Sequence, residues 1–436
     1  MNIRLKSNIL LAAISLFCGL PVNAEVINAN KTVDQNGMVN ISFNLVAKNR
    51  STTMPVFSVK FIGSTEEQDS FVLKLLNGDG STGIIIGSGR HSTIWDPSGN
   101  KIKPEDVDKV NIQVETEDVT EEATYLVLNL KNYQMSYQKE DPKTKGSKSK
   151  TKELWLRRIE PGRFYMGSPT NELGRAFNET LHEVNISHAF YLGIFETTQK
   201  QFQTIAGYNS SVFKGSTRPV DNVSYNMLRG SEEGETWPQN TDHRIGKSYQ
   251  DYEKGQDADS FFNSLREKTG GRLVFDLPTE AQWEYACRAG EASAINDGNN
   301  LTNIFSDGNL SQLSWYDQFH YLWVSNYKKW CSVEKKNRPH PVGLKAPNNW
   351  GLYDMHGNVE EFCLDWYQEN LGTRYVTDPV GAYKASAFLD EQGRGPFRVS
   401  KSGSCFTDAK FCRSASRNYN SPQYKASNHG FRIALF

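Results

Sequence analysis

The chain has 436 residues, of which 37% are hydrophobic and 23% charged, so it carries enough apolar material for two folded domains. Its formal net charge of −1 gives no support to binding of nucleic acid or of an anionic membrane surface. The 34 glycines and the 12% aromatic share indicate many turns and irregular segments packed by large rings, and they argue against a helix bundle.

Residues 1–24 have the pattern of a secretory signal. Arg4 and Lys6 supply positive charge, and the apolar run at residues 9–20 is too short to span a bilayer with margin. Residues 22–24 (Val-Asn-Ala) match a small-residue cleavage site. We therefore expect an exported protein, periplasmic or secreted, with no membrane attachment after the signal is removed.

Residues 25–137 are expected to form an all-β sandwich of immunoglobulin or fibronectin type. Residues 38–45 alternate apolar and polar side chains, as a half-buried strand does. Similar segments, separated by turn residues, lie at 57–62, 71–76, 109–114 and 124–130. Residues 138–152 are polar, lysine-rich and without periodicity, which predicts a solvated linker.

Residues 153–436 are crowded with tryptophan, tyrosine, glycine and asparagine, and helical periodicity is rare. One helix is predicted, because Thr279 and Gln282 have the spacing of a capping box. Apolar residues from Trp283 onward then recur at helical spacing. Elsewhere we expect short strands and long ordered loops.

Two longer motifs in this part are LPTEAQWEYA at residues 277–286 and PNNWGLYDMHGNV at residues 347–359. Shorter motifs occur in the same order, at residues 164–167, 190–193, 196–199, 398–404, 412–417 and 430–432. The ordered set resembles the formylglycine-generating enzyme, or sulfatase-modifying factor, family. The resemblance implies an α+β domain with a C-type-lectin-like fold and little regular secondary structure.

The resemblance also implies an oxidase that converts a cysteine of a client sulfatase to formylglycine, with copper(I) between two cysteines. Ser404 falls on the active-site serine and Cys412 on the second cysteine, but the first cysteine position holds Thr407. A threonine hydroxyl is a hard, neutral donor and a poor ligand for copper(I). Cys405 either supplies a second sulfur or is a small buried hydrophobe. Whether the chain is an enzyme is left open.

Cys363 gives Cys412 an alternative role. In exported members of the resembled family the two matching cysteines occur together, which implies a Cys363–Cys412 disulfide, and an oxidising compartment favours pairing. That bridge would remove the last thiolate from the copper position. Arg413, Arg417 and Arg432 match family arginines and are expected to be buried pairing residues.

A structural calcium ion is also implied by the resemblance. The ligands would be Asp354, the backbone carbonyls of Gly357 and Val359, and Glu361. Oxygen ligands, two of them anionic, suit a hard cation. The alternative is that both carboxylates only cap local backbone amides.

Two functions follow from these expectations. The first is an exported, non-catalytic or divergent member of the resembled family that binds a peptide or glycan partner, such as a sulfatase or another exported protein. The alternative is an oxidase, either a formylglycine-generating oxidase or one that carries out a different oxidation with Cys405. The residue at position 407 is the main point that separates them.

Overall fold

A computed structural model describes residues 24–47, 54–66, 70–73, 75, 83–86, 89–142, 146–230, 260–270, 273–317, 321–324, 329–332, 337–382 and 388–436. The expected signal, up to residue 23, lies outside the described residues. The chain divides into an N-terminal unit (Met1–Thr124 and Gln134–Lys139) and a C-terminal unit (Tyr125–Tyr133 and Glu140–Phe436). Among the helices of these ranges, none has both the length and the apolar character needed to cross a membrane.

The N-terminal unit is built from antiparallel strands. They are β1 (Ala24–Val33), β2 (Val39–Ala47), β3 (Val56–Ser64), β4 (Phe71–Val72), β5 (Gly83–Ile86), β6 (Gly89–Trp95), β7 (Asn111–Asp118) and β9 (Gln134–Gln138). One sheet has the order β1-β2-β6, and in the other β3 pairs with β4, β5 and β7. The inward residues of β2 and β3, with Trp95, share one hydrophobic core. The all-β character is as predicted, and the immunoglobulin or fibronectin type stays a prediction.

The C-terminal unit contains short elements joined by long loops. Its strands are β8 (Tyr125–Asn129), β10 (Glu153–Ile159), β11 (Gly162–Met166), β12 (His182–Ile186), β13 (Phe190–Gly193), β14 (Phe275–Asp276), β15 (Tyr321–Val324), β16 (Lys329–Ser332), β17 (Glu360–Trp366), β18 (Val376–Thr377), β19 (Arg398–Lys401), β20 (Asn418–Asn420), β21 (His429–Gly430) and β22 (Ala434–Leu435). Its helices are α1 (Lys148–Thr151), α2 (Gln199–Ala206), α3 (Tyr225–Arg229), α4 (Phe261–Lys268), α5 (Glu280–Arg288) and α6 (Leu310–Leu313).

Two sheets position the site. In the first, the strands run β14-β22-β13-β10-β8, and in the second β20-β19-β17-β21. Every residue of β17 and β19 is buried. Strands buried on both faces lack apolar–polar alternation, which explains why periodicity does not reveal them.

The C-terminal unit starts earlier in the chain than the sequence indicates. Residues 124–130 are predicted to belong to the N-terminal sandwich, but β8 pairs with β10 in register Leu126–Leu156. The second half of the expected linker forms α1, in which Ser149 is buried. Lys148 reaches Glu153 at 2.6 Å, and the Thr198 hydroxyl donates to the carbonyl of Lys150. The lysines at this point are therefore part of an ordered element.

The predicted helix is confirmed as α5. Thr279 accepts from the Gln282 backbone N–H, and the Gln282 side chain accepts from the Thr279 N–H, so the capping box is complete. All nine residues of α5 are buried, so it crosses the core instead of lying on its surface. An equivalent capping box between Thr198 and Gln201 begins α2, a helix that is not among the sequence predictions.

Candidate functional site

Thr407 lies beside Cys412, at the position where the resembled family has its first cysteine. Its hydroxyl oxygen is 3.7 Å from the Cys412 sulfur. The same hydroxyl accepts from the Ser404 N–H at 2.8 Å and donates to the Ser404 carbonyl at 3.0 Å. Thr407 therefore closes the turn that begins at Ser404, and both of its local partners are backbone groups.

The thiol of Cys412 is buried among apolar side chains and the hydroxyls of Thr407 and Ser314. Cys412 is fully buried in a small hydrophobic cluster with Leu310, Leu313 and Tyr316. Burial raises the pKa of the Cys412 thiol to about 12, although a hydrogen bond from Thr407 opposes the rise. This environment disfavours the thiolate, the form in which a cysteine acts as a nucleophile.

Cys405 is also a buried thiol. Only 3% of the residue is exposed, and its backbone N–H donates to the Asn358 carbonyl at 3.0 Å. Burial raises the pKa of Cys405, and the carboxylate of Glu196 and the nearby Cys412 raise it further. The small-hydrophobe interpretation therefore describes its surroundings better than the thiolate interpretation.

The donor set does not fit copper(I). A soft monovalent ion prefers two sulfur donors close together, whereas the position of the first donor is held by a hydroxyl that already bonds to backbone. Within the described part of the chain, no three histidine, cysteine, aspartate or glutamate side chains are grouped to hold a metal ion. The mismatch with copper(I) therefore rests on Thr407.

The disulfide expected between Cys363 and Cys412 is absent, which corrects the prediction from the resemblance. Both cysteines are free and fully buried. Cys363 packs in the main core of the C-terminal unit with Trp283, whereas Cys412 belongs to the separate cluster described above. Burial raises the pKa of the Cys363 thiol well above its usual range. Its role is that of a core side chain.

Ser404 lies at the end of a polar chain that runs into the core. Its hydroxyl accepts from the Asn428 side-chain amide at 3.1 Å. The Asn428 amide oxygen is 3.3 Å from His429 Nδ1, and His429 Nε2 is 3.4 Å from a carboxylate oxygen of Glu360. Glu360 also accepts from the Ser400 hydroxyl and the Asn418 amide. These partners accommodate a buried glutamate at the first position of β17.

The expected calcium ligands lie in a buried cluster of carboxylates. Both oxygens of Glu361 bond to Arg432, at 2.8 and 3.1 Å, and one also accepts from the Trp283 indole N–H at 2.7 Å. The Gly357 carbonyl accepts from the Ser402 hydroxyl at 3.0 Å. Glu361 is thus neutralised by an arginine in this arrangement.

Asp354 is the member of that set that keeps an open acceptor. Its Oδ2 accepts from the Gly343 N–H at 2.6 Å, whereas its buried Oδ1 has no hydrogen-bond partner among the described residues. Burial raises the pKa of Asp354 to about 6. The set therefore fits a cation only in part, through Asp354 and the backbone, and calcium stays a prediction.

Sequence reasoning missed Glu196, which faces the same cluster. It is fully buried and accepts from the Asn358 amide at 2.7 Å and from the Val359 N–H at 3.1 Å. Burial, followed by repulsion from Asp354 and Glu361, raises its pKa well above the usual range. The signal that was available is its place in the motif at residues 196–199, but no local pattern shows which distant carboxylates it meets.

His356 was also missed as a positioning residue. Its Nε2 accepts from the Asn296 N–H at 3.1 Å, so Nδ1 carries the proton and donates to the Cys412 carbonyl at 2.6 Å. Burial lowers the pKa of His356 to about 4, which keeps the ring neutral. The ring fixes the backbone of Cys412 against α5 and the loop before α6.

The three arginines behave as predicted. Arg413 bonds to Glu179 at 2.7 Å, Arg417 to Glu280 at 2.9 Å, and Arg432 to Glu361 as described. All three arginines are at most 7% exposed. They join loops that are far apart in the sequence, and they act on the fold of the site and not on a reacting group.

A β-rich unit with few helices, a buried thiol loop and arginine-locked loops together define a sulfatase-modifying-factor-like domain. The sequence profile of the sulfatase-modifying factor enzyme 1-like domain matches residues 138–435. The chain therefore belongs to this family, and the resemblance stated from the motifs is confirmed.

Named relatives match over parts of their length. Chaperone protein LppX of Paenibacillus barcinonensis is 32% identical over 188 residues, which are 41% of this chain and 62% of that protein. The formylglycine-generating enzyme of Mus musculus is 32% identical over 161 residues, 36% of this chain and 38% of the enzyme. That of Thermomonospora curvata is 34% identical over 170 residues, 36% and 48% respectively. The chain thus spans 38% to 62% of the length of these relatives.

Two solved structures are similar to this chain over part of its length. Treponema denticola variable protein 1 has 24% identity and a TM-score of 0.45, covering 65% of this chain and 95% of that chain. PvdO from Pseudomonas aeruginosa has 22% identity and a TM-score of 0.44, covering 65% and 94%.

Proposed function

We propose that this chain is an exported binding protein that uses the sulfatase-modifying-factor fold without oxidising cysteine. The observation that carries the proposal is Thr407, whose hydroxyl bonds to both backbone groups of Ser404. The Thr407 hydroxyl therefore holds the turn, at the position where the resembled enzymes have a copper ligand. Export rests on the signal pattern of residues 1–24.

The state of the two nearby thiols supports the same proposal. Burial raises the pKa of the Cys405 and Cys412 thiols, which disfavours the thiolate form that copper(I) prefers. Arginines that bind thiolates or oxyanions elsewhere in proteins are here paired with buried carboxylates, as Arg413 is with Glu179. These contacts support a structural role for the loop that carries Ser404 and Cys412.

The partner is proposed to be an exported protein or a glycan. Ordered loops on a rigid scaffold are common binding surfaces, and the C-terminal unit consists mostly of such loops. One relative of comparable identity carries the name of a chaperone and not of an oxidase. That name supports partner binding as a use of this fold, without indicating which partner this chain takes.

The second candidate is the oxidase, and the presence of Ser404 and Cys412 at matching positions favours it. The test is to incubate the full chain with copper(I), oxygen and a Cys-x-Pro-x-Arg peptide, and to follow the peptide by mass spectrometry. We expect the peptide thiol to remain unchanged. Conversion of the cysteine to an aldehyde, abolished by Cys412→Ala, would establish the oxidase.

A further inference from the structure

A large groove opens on the C-terminal unit, with a volume of about 1220 Å³. It lies between α3, the end of β17, the loop before β19, and the segment from β20 to Tyr424. Ser404, Cys405, Thr407 and Cys412 are not among the residues that line it. The groove is therefore separate from the loop that carries those four residues.

Aromatic rings form the floor of the groove. Phe388, Phe397 and Tyr419 pack against one another with ring centroids 5.0 to 6.3 Å apart. Beside them, the Arg398 guanidinium lies 3.3 Å from the Trp366 ring centroid and 4.2 Å from that of Tyr225. Trp366 and Tyr225 are buried, so the partly buried rings of the first group are the ones that a ligand can reach. Their packing fixes these rings, which reduces the entropy lost when a ligand stacks on them.

The rim carries large apolar side chains that are exposed to solvent. Phe177 is 75% exposed, Leu389 55% and Tyr424 45%. Exposed apolar side chains scattered singly are ordinary, but three around one cavity mark a binding surface. A ligand seated in the groove would cover them.

The charges on the lining are balanced. Arg229 is paired with Asp276 at 2.8 Å, and Arg394 with Asp390 at 2.6 Å. Glu369 and Glu391 add exposed carboxylates, and Arg398 adds a guanidinium that donates to the Leu364 carbonyl at 2.6 Å. With three arginines and three carboxylates on the lining, the groove has no net positive charge that would favour a sulfated or otherwise anionic ligand.

We propose that this groove binds a neutral oligosaccharide. A sugar ring has an apolar face that stacks on aromatic rings and a rim of hydroxyls that bond to carboxylates and to amides such as Asn226 and Gln423. An extended peptide would need a longer strand edge, since β20, which is the edge of its sheet, has three residues. The inference rests on the binding function proposed above and names its ligand class.

The test is isothermal titration of the full chain with cellohexaose, xylohexaose and mannohexaose, and with a heparin hexasaccharide as the anionic comparison. At least one neutral hexasaccharide is expected to bind. Phe177→Ala and Tyr424→Ala are each expected to weaken that binding by about tenfold, the scale of one lost aromatic contact. Phe305→Ala and Tyr165→Ala are the matched controls, since both rings are exposed and lie outside the groove.

Three results would overturn the inference: no neutral hexasaccharide binds at millimolar concentration, the anionic sugar binds more tightly, or the rim variants bind like the parent. A fourth result would also overturn it: phage display selects a peptide that binds the parent chain but not the rim variants, while no sugar binds. The peptide-oxidation assay reads the proposed function separately. If the chain leaves the cysteine peptide unchanged and binds no sugar, the oligosaccharide proposal is wrong and the proposed binding function without cysteine oxidation still stands.

Discussion

Removing the Arg432 guanidinium should destabilise the C-terminal unit severely. Arg432 is fully buried, bonds both oxygens of Glu361, and donates to the carbonyls of Gly193 and Tyr353 at 2.8 Å each. Breaking a buried ion pair from one side costs about 3–5 kcal/mol. The two stranded carbonyls add about 1 kcal/mol each. Arg432→Met should therefore lose about 5–7 kcal/mol, which is comparable to the whole stability of many domains.

The loss should depend on pH. Glu196 and Asp354 lie beside the same guanidinium, and their raised pKa values already reflect the difficulty of charging them there. Without the cation, protonation is the remaining route to neutrality, so Arg432→Met should be less destabilised at pH 5 than at pH 8.

Urea unfolding followed by tryptophan fluorescence measures this effect, because eight of the nine tryptophans follow residue 124. Arg163→Met is the matched control, since Arg163 is 67% exposed and 3.8 Å from Glu183, and should change stability by less than about 1 kcal/mol. Adding Glu361→Gln to Arg432→Met should recover part of the loss. A single variant within about 1 kcal/mol of the parent at pH 7, or a double variant no better than the single, would refute the reasoning.

Three further outcomes are expected. Thr407→Cys should raise copper(I) affinity at least about tenfold in a chelator competition, because it adds a second sulfur near Cys412. Thr407→Ser, the control, should leave the affinity unchanged, and equal affinities of the two variants would contradict the argument. With its pKa raised to about 6, Asp354 contributes stability that is complete below the unfolded value of about 4 and is lost as pH rises through 6. Asp354→Asn should remove about 3 kcal/mol of the fall in unfolding free energy between pH 4 and 7, measured by urea titration. An unchanged fall would exclude Asp354 as its source. Thr279→Ala should lower unfolding free energy by about 1 kcal/mol, measured against Thr377→Ala at an exposed site, and no loss would mean that the capping box is not stabilising.

Elements with a local signal were predictable from the sequence. The capping box at Thr279 requires only Gln282 three residues on, and the alternation that gives β2 appears within eight residues. By contrast, β8 reads as one more strand of the first domain, and only its pairing with β10 places it in the second. Strand pairing depends on contacts that a local pattern does not contain.

The site shows the same limit more strongly. The residue types of Asp354, Glu361 and Arg432 were identified, but a choice between calcium and arginine as the counter-charge depends on where Arg432 folds. The Cys363–Cys412 pairing failed for a related reason, since two cysteines that occur together in relatives point here into different hydrophobic clusters. The spacing of residues in the sequence identifies the candidate ligands, but it does not determine where their side chains point in the fold.

Buried ion pairs explain how such a loop-rich unit keeps its shape while its reactive position changes. Lys401 is fully buried and bonds to Glu284 at 3.0 Å, and Glu284 also bonds to Arg288 and to the Gly167 N–H. Contacts of this kind hold loops by geometry and tolerate little rearrangement. A different side chain at position 407 is then tolerated when it forms the hydrogen bonds that close the turn, as the Thr407 hydroxyl does. The fold therefore does not depend on a metal ligand at position 407.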